Sequence, residues 1–273
     1  MNAGRFGAPR FLAAEMAGRK SDGSAGDADY GSIGHGYASY RQPEPAIAAL
    51  IVRALGNART VLNVGAGAGS YEPTDRELTP VEPSASMRAQ RPPHLAIAID
   101  AVAESLPFPD GHFDASMTTF SIHQWARLDD GLHEMRRVTR GPVLILSCDP
   151  ELVQRFWLND YAPGVLAAEA QRYPALDRMA AVLGGTREIV PVPIPLLCRD
   201  GFNEAYYGRP ERLLDPGARL ACSAWSFVSE ETAAGYVEHL RRDLTSGAWD
   251  RKHGHLRTAP EYDGSLRLII ARP

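Results

Sequence analysis

The sequence predicts an α/β protein: a doubly wound, Rossmann-like, mostly parallel sheet with an antiparallel final strand and an aromatic-rich cap insertion. Three observations carry this. Strand-like and helix-like segments alternate between residues 47 and 147, which requires right-handed crossovers within one sheet. A glycine-rich bend, Gly65-Ala66-Gly67-Ala68-Gly69, follows directly on the apolar run Val61–Val64. Val143–Ser147 lacks polar alternation, as expected of a strand buried on both faces.

The elements follow in order. Residues 1–29, rich in Gly, Ala, Ser and Asp, read as a flexible arm, with Phe11, Leu12 and Met16 allowing a brief helix. Tyr30 to Gln42 carries Tyr37, Tyr40 and Arg41 ahead of Pro43-Glu44-Pro45 and reads as a lid. Ile47, Leu50, Ile51 and Leu55 repeat at helical spacing, closed by Gly56-Asn57. The first strand is Val61–Val64. Past Gly69, Pro73 and the Thr74-Asp75-Arg76 turn leave room for only a turn or two of helix. A full pyrophosphate-binding helix is therefore not expected. Thr79–Glu82 is the second strand, and Ser84–Gln90 a short helix N-capped by Ser84. Ala96–Ile99 and Phe113–Thr119 are the third and fourth strands. Leu128, Leu132, Met135 and Val138 form the apolar stripe of the next helix.

Beyond Asp149 the pattern changes. Phe156, Trp157 and Tyr161 suggest a helix, and Ile189–Leu197, with its prolines, suggests an edge strand. Phe202, Tyr206, Tyr207, Trp225 and Phe227 cluster with weak periodicity. Tyr236, Leu240 and Leu244 mark a helix, and Ser265–Ile270 a final strand returning to the sheet. The expected organisation is an arm (1–29), a ligand-binding core with its lid (30–149), a cap or substrate region inserted in the same domain (150–258), and the last core strand (259–273).

Net charge is −4 without a basic run, which gives a nucleic acid no electrostatic footing. Cys148, Cys198 and Cys222 are widely spaced and odd in number, so free buried thiols are expected, with no metal site and no disulfide framework. No leader pattern opens the chain, and no apolar stretch nears the ~18 residues of a membrane span. The expectation is a soluble cytoplasmic protein, monomer or homodimer, with a small-molecule partner and no membrane partner.

Three alternating glycines let the backbone approach a ligand where a Cβ would collide. Glu82 arrives about one βαβ step later, where a carboxylate accepts hydrogen bonds from both hydroxyls of a ribose. The pair reads as a nucleoside site. A nicotinamide-dependent oxidoreductase is one alternative. Against it, Ser70 stands at the last glycine of GxGxxG, the helix is truncated, and no Tyr-x-x-x-Lys pair occurs. A catalytically inactive ligand-binding protein is another.

The run Val102-Ala103-Glu104-Ser105-Leu106-Pro107-Phe108-Pro109-Asp110-Gly111-His112-Phe113-Asp114 changes the balance. With the bend and Glu82, it makes residues 37–150 resemble the class I S-adenosylmethionine-dependent methyltransferases, specifically the type-11 group of small-molecule enzymes. The resemblance implies S-adenosylmethionine as cofactor. It implies that Gly65, Ala66 and Gly67 pass under the cofactor and that Glu82 binds the ribose, with Pro83 nearby. The backbone at Ala103 and Glu104 would meet the adenine edge, shaped by Leu106 and Pro107. Thr119 to His123, with Ser121 between them, would lie beside the sulfonium. Arg41 would meet the methionine carboxylate, with Tyr37 or Tyr40 closing over the site. Asn63 and Val102 stand where many relatives carry acids, which leaves the ammonium and adenine contacts to other groups.

Methyl transfer from a sulfonium is an in-line displacement in which the leaving sulfide needs no acid, so the protein aligns and excludes water. An acceptor hydroxyl also benefits from a base. His123 is the candidate, with an unperturbed pKa near 6.5 and a position just past a strand end. His253 and His255 come next. Trp125, Trp157, Tyr206, Tyr207 and Arg209 are the candidate acceptor pocket, suited to a flat, apolar or aromatic molecule.

Overall fold

A computed structural model describes residues 37–273, with Tyr37 and Ala38 described in backbone only. The expected arm, residues 30–36 of the lid segment and the Tyr37 side chain lie outside the described residues.

Helix α1 covers Tyr37–Tyr40 and α2 Pro45–Leu55. α2 begins where the Glu44 carboxylate accepts the Ala46 N–H at 3.3 Å and Pro45 presets φ at the first helical position. It ends at Gly56, with φ 58°. Its buried residues Ile47, Ile51 and Leu55 recur every fourth position and form one stripe facing the sheet.

Eight strands follow: β1 (Thr60–Val64), β2 (Glu77–Val81), β3 (Ala115–Thr119), β4 (Val143–Cys148), β5 (Thr186–Pro191), β6 (Ile194–Pro195), β7 (Glu261–Tyr262) and β8 (Leu266–Arg272). Six form one sheet in the order β2-β1-β3-β4-β8-β5, and β6 and β7 form a separate ribbon. β1 pairs in parallel with β2 and β3, and β3 with β4. β8 runs antiparallel between β4 and β5. The chain leaves β1 to one side to make β2 and returns on the other side as β3. That switch opens a crevice beyond the carboxyl ends of β1 and β3.

β4 is buried along its whole length and feeds two cores. Leu144, Leu146 and Cys148 face α2 and the aromatic cap, including Phe156, Trp157, Phe202 and Trp249. Val143 and Ile145 face helices α3 (Leu128–Arg137) and α4 (Leu176–Leu183) through Leu132, Met135, Met179 and Leu183. The period-2 alternation of a strand thus places the cap against one face and a helical layer against the other.

Several elements differ from expectation. No helix forms between β1 and β2; residues 65–76 are turns and loop. Positive φ at Gly65, Gly67, Gly69 and Tyr71, followed by Pro73, prevents a helical run. The strand expected at Ala96–Ile99 shrinks to a single bridge between Ile99 and Val81. Pro92-Pro93 hold the chain in a turn, and the Ala96 carbonyl is taken by the Arg91 guanidinium instead of a strand neighbour. The expected edge strand is split. β5 does form the sheet edge, but after Pro191 and Pro193 the chain leaves it, and Ile194–Pro195 pairs with Glu261–Tyr262. The helix expected around Phe156–Tyr161 is a 3-10 turn, Trp157–Asp160, ahead of the helix Pro163–Arg172. Among the described residues no helix is long and apolar enough to cross a membrane, and all three cysteines are buried free thiols.

Candidate active site

The bend after β1 is built by close packing. Gly65 and Ala66 both donate to the Val81 carbonyl at 2.9 Å, which tethers the loop to β2. A Cβ on Gly65 would stand 1.8 Å from Ser121 Oγ, so only glycine lets the loops after β1 and β3 meet. Gly67, with φ 52°, turns its N–H onto the Glu82 carboxylate at 2.8 Å. The second Glu82 oxygen accepts the Ser84 N–H, also at 2.8 Å. Burial raises the Glu82 pKa, and the Ser84 and Gly67 N–H groups, with Arg88 and Arg91 nearby, pull it back. A carboxylate offers about four acceptor positions. Two are committed to the protein, which leaves two for a ligand that presents paired hydroxyls.

Beneath the loop lies a buried ion pair. Arg91 Nη1 and Nη2 grip Glu72 Oε1 and Oε2 at 3.0 and 2.8 Å, with both side chains at most 5% exposed. Arg91 also donates to the Gly67 carbonyl at 3.3 Å, and Asn63 Nδ2 to Glu72 Oε1 at 3.1 Å. Asn63 therefore props this pair.

Above the loop, three distant segments meet at Asp200. It is 2% exposed, accepts the Tyr71 hydroxyl at 2.9 Å and is bonded by the Arg41 guanidinium. Arg41 and Asp200 also form an isolated backbone bridge. Burial and the Asp200 carboxylate push the Tyr71 phenol well above its usual pKa, keeping it a donor.

These parts surround a cavity of about 910 Å³. Its walls include Gly65, Ala66, Gly67, Glu82, Pro83, Ala103, Glu104, Thr119, Ser121, Arg41 and Trp125, all named from the sequence. Trp125 is steered by its Nε1–H, which donates to Ser121 Oγ at 3.2 Å. Gly131 makes room for its ring, since a Cβ there would lie 2.6 Å from Trp125 Cε3. Sequence reasoning missed Asp200, Tyr71 and Met87, which also line it; Phe120, within the stretch Thr119 to His123 named from the sequence, lines it too. No motif marks the missed residues: Asp200 follows an apolar segment far along the chain, and Tyr71 owes its place to positive φ.

The remaining expected residues are elsewhere. His123 lies in the wall of a neighbouring cavity, its ring 4.9 Å from that of Tyr173. Trp157, Tyr206, Tyr207 and Arg209 line neither cavity. Trp157 donates to the Tyr207 carbonyl at 2.9 Å and stacks edge-on with Trp249. Tyr207 donates to the Ala259 carbonyl at 2.7 Å, Tyr206 is buried, and Arg209 binds the Cys198 and Ala205 carbonyls. These four build the cap's own core. His253 rests on Asp160 at 3.2 Å, away from both cavities.

A mostly parallel sheet with one reversed strand matches the Rossmann-like α/β fold of the S-adenosylmethionine-dependent methyltransferases. Residues 62–145 match the family model of a methyltransferase domain, consistent with a class I methyltransferase of the type-11 group. Its cofactor is S-adenosylmethionine. A candidate methyltransferase from an antibiotic biosynthesis pathway of Anabaena variabilis is 29% identical, with 85% of this chain and 99% of that one covered and a TM-score of 0.80. An S-adenosylmethionine-dependent methyltransferase of Thermotoga maritima shares the fold at 15% identity, covering 89% and 95% of the two chains with a TM-score of 0.52. A Haemonchus contortus phosphoethanolamine N-methyltransferase, solved with S-adenosylhomocysteine, shares it at 16% identity over 88% of this chain and 56% of that one, TM-score 0.50. Among curated proteins none matches the chain.

Proposed function

We propose that this methyltransferase acts on a small molecule of specialised metabolism, moving the methyl group to O, N or C. The observation that carries the reading is a second, small cavity sharing two wall residues, Arg41 and Phe120, with the first. A net charge of −4 without a basic run gives a nucleic-acid acceptor no electrostatic footing, and the Anabaena protein's antibiotic pathway supports a metabolite.

In this reading Glu82 binds the ribose hydroxyls, and the bend from Gly65 to Gly67 runs beneath the nucleoside. Apolar packing by Val102 and Ala103, with the local backbone, receives the adenine. Arg41, steadied by Asp200, meets the methionine carboxylate. S-adenosylmethionine supplies an electrophilic methyl group whose carbon–sulfur bond breaks toward sulfur. The protein's own residues align the acceptor and keep water out. Residues 150–258 serve as the cap, contributing the wall opposite the sheet.

Glu82→Ala tests the site. Loss of the carboxylate strands the Gly67 and Ser84 N–H groups as well as the ribose hydroxyls. S-adenosylhomocysteine binding, followed by calorimetry, is expected to weaken by about 1–3 kcal/mol; unchanged affinity contradicts the ribose assignment. The absence of a helix after the bend disfavours a dinucleotide, so NADH is expected not to bind.

His123 is the one histidine in the walls of these two cavities among the described residues, and we assign it the base. His123→Ala is expected to slow methyl transfer by about 10²-fold or more, with S-adenosylhomocysteine affinity unchanged. Near-normal turnover removes that role.

A further inference from the structure

The second cavity encloses about 460 Å³ of empty space, part of it open to solvent. Phe120 divides it from the cofactor cavity. This residue has φ 51°, a conformation that a bulky side chain adopts only where its surroundings enforce it. Its ring lies 5.4 Å from Phe202 and 6.4 Å from Tyr71, with the Arg41 guanidinium 5.1 Å from its centroid. A ring pinned from three sides is a fixed wall for a flat ligand.

Glu169, on the helix Pro163–Arg172, is the cavity's directed polar group. Asn203 Nδ2 donates to Glu169 Oε2 at 2.7 Å, and Trp225 Nε1 donates to Asn203 Oδ1 at 3.1 Å. The indole thus sets the amide, and the amide sets the carboxylate. The same carboxylate is part of the cavity wall. Burial raises the Glu169 pKa, while Arg172 and Arg41 act against it. Arg41 and Arg172 line the same cavity, so its wall carries more cationic than anionic side chains. Such a wall suits a neutral O–H donor better than an ammonium.

We infer that this cavity receives the methyl acceptor, and that the acceptor is a small neutral molecule carrying a hydroxyl that donates to Glu169. The inference rests on the methyltransferase reading of the first cavity and adds the acceptor's chemistry. His123 and Tyr173 form an aromatic side of the same cavity, and Ser223 belongs to its wall at a partly exposed position.

The probe is 2-naphthol, titrated by fluorescence into protein saturated with S-adenosylhomocysteine. 2-Methoxynaphthalene serves as the analogue without a donor, and 2-naphthylmethylamine as the cationic one. 2-Naphthol is expected to bind about tenfold more tightly than its methyl ether. Glu169→Gln should erase that preference: Asn203 would pair with the new amide oxygen and leave an NH2 facing the ligand. Ser223→Phe, which fills the cavity and removes the acceptor of Arg172 Nη1, should weaken 2-naphthol by about tenfold or more without changing S-adenosylhomocysteine affinity. Equal binding of naphthol and ether, a preference that survives in Glu169→Gln, tighter binding of the ammonium, or indifference to Ser223→Phe would each overturn the inference alone. Failure of the wild-type protein to bind S-adenosylhomocysteine overturns the reading of the first cavity, and this inference with it.

Discussion

Arg91→Ala is expected to destabilise the protein by about 3–5 kcal/mol, because it leaves the Glu72 carboxylate buried without its counter-charge. Glu72 and Arg91 are 2% and 5% exposed in their side chains, so solvent cannot take over the lost bonds. The same guanidinium holds the Gly67 and Ala96 carbonyls, so the glycine bend and the chain beside β2 lose an anchor together. Thermal or urea unfolding measures the loss. Arg91→Lys should recover only part of it, since a point charge cannot reproduce a two-pronged grip. A Glu72→Leu/Arg91→Leu double variant should be more stable than Arg91→Ala, as it buries no lone charge. If Arg91→Ala unfolds like the wild type, the pair is not what holds the bend.

Gly67→Val is expected to abolish S-adenosylhomocysteine binding, with affinity falling by more than about 100-fold, roughly 3 kcal/mol. The backbone there has φ 52°, which a β-branched residue adopts only under strain. Among the described residues, its chain neighbours aside, the only heavy atom within 4 Å of the new Cβ is Met87 Cε at 3.3 Å, and Met87 and Gly67 are both cavity walls. The side chain therefore fills ligand space rather than breaking a core contact. The protein should stay folded, destabilised by about 1–2 kcal/mol from the left-handed residue. Calorimetry with S-adenosylhomocysteine, alongside a melting curve, separates the two effects. Retained affinity would mean that the loop does not run beneath the ligand.

The parts of the site legible in the sequence are local ones. Glycines at 65, 67 and 69 announce a backbone that no other residue adopts easily, and Glu82 follows within a short, countable distance. The strand Val143–Cys148 declares its double burial through composition alone. Ala96–Ile99 looked equally strand-like, yet Arg91 claims one of its carbonyls and prolines hold the approach. The aromatics past residue 150 were ambiguous for a physical reason: a buried ring contributes the same apolar area whether it lines a pocket or fills a core. Trp157, Tyr206 and Tyr207 fill the core, whereas Phe120 and Phe202 flank the second cavity.

The cradle, its acid and the order of the layers were written into short stretches of chain, because backbone freedom and apolar period act over a few residues. Asp200 joins Tyr71 and Arg41 across 129 and 159 positions, and Asn203 orients Glu169 across 34. Contacts over such separations leave no periodic trace along the chain. They exist only once the sheet and cap have packed, and packing alone chose which buried polar groups would meet.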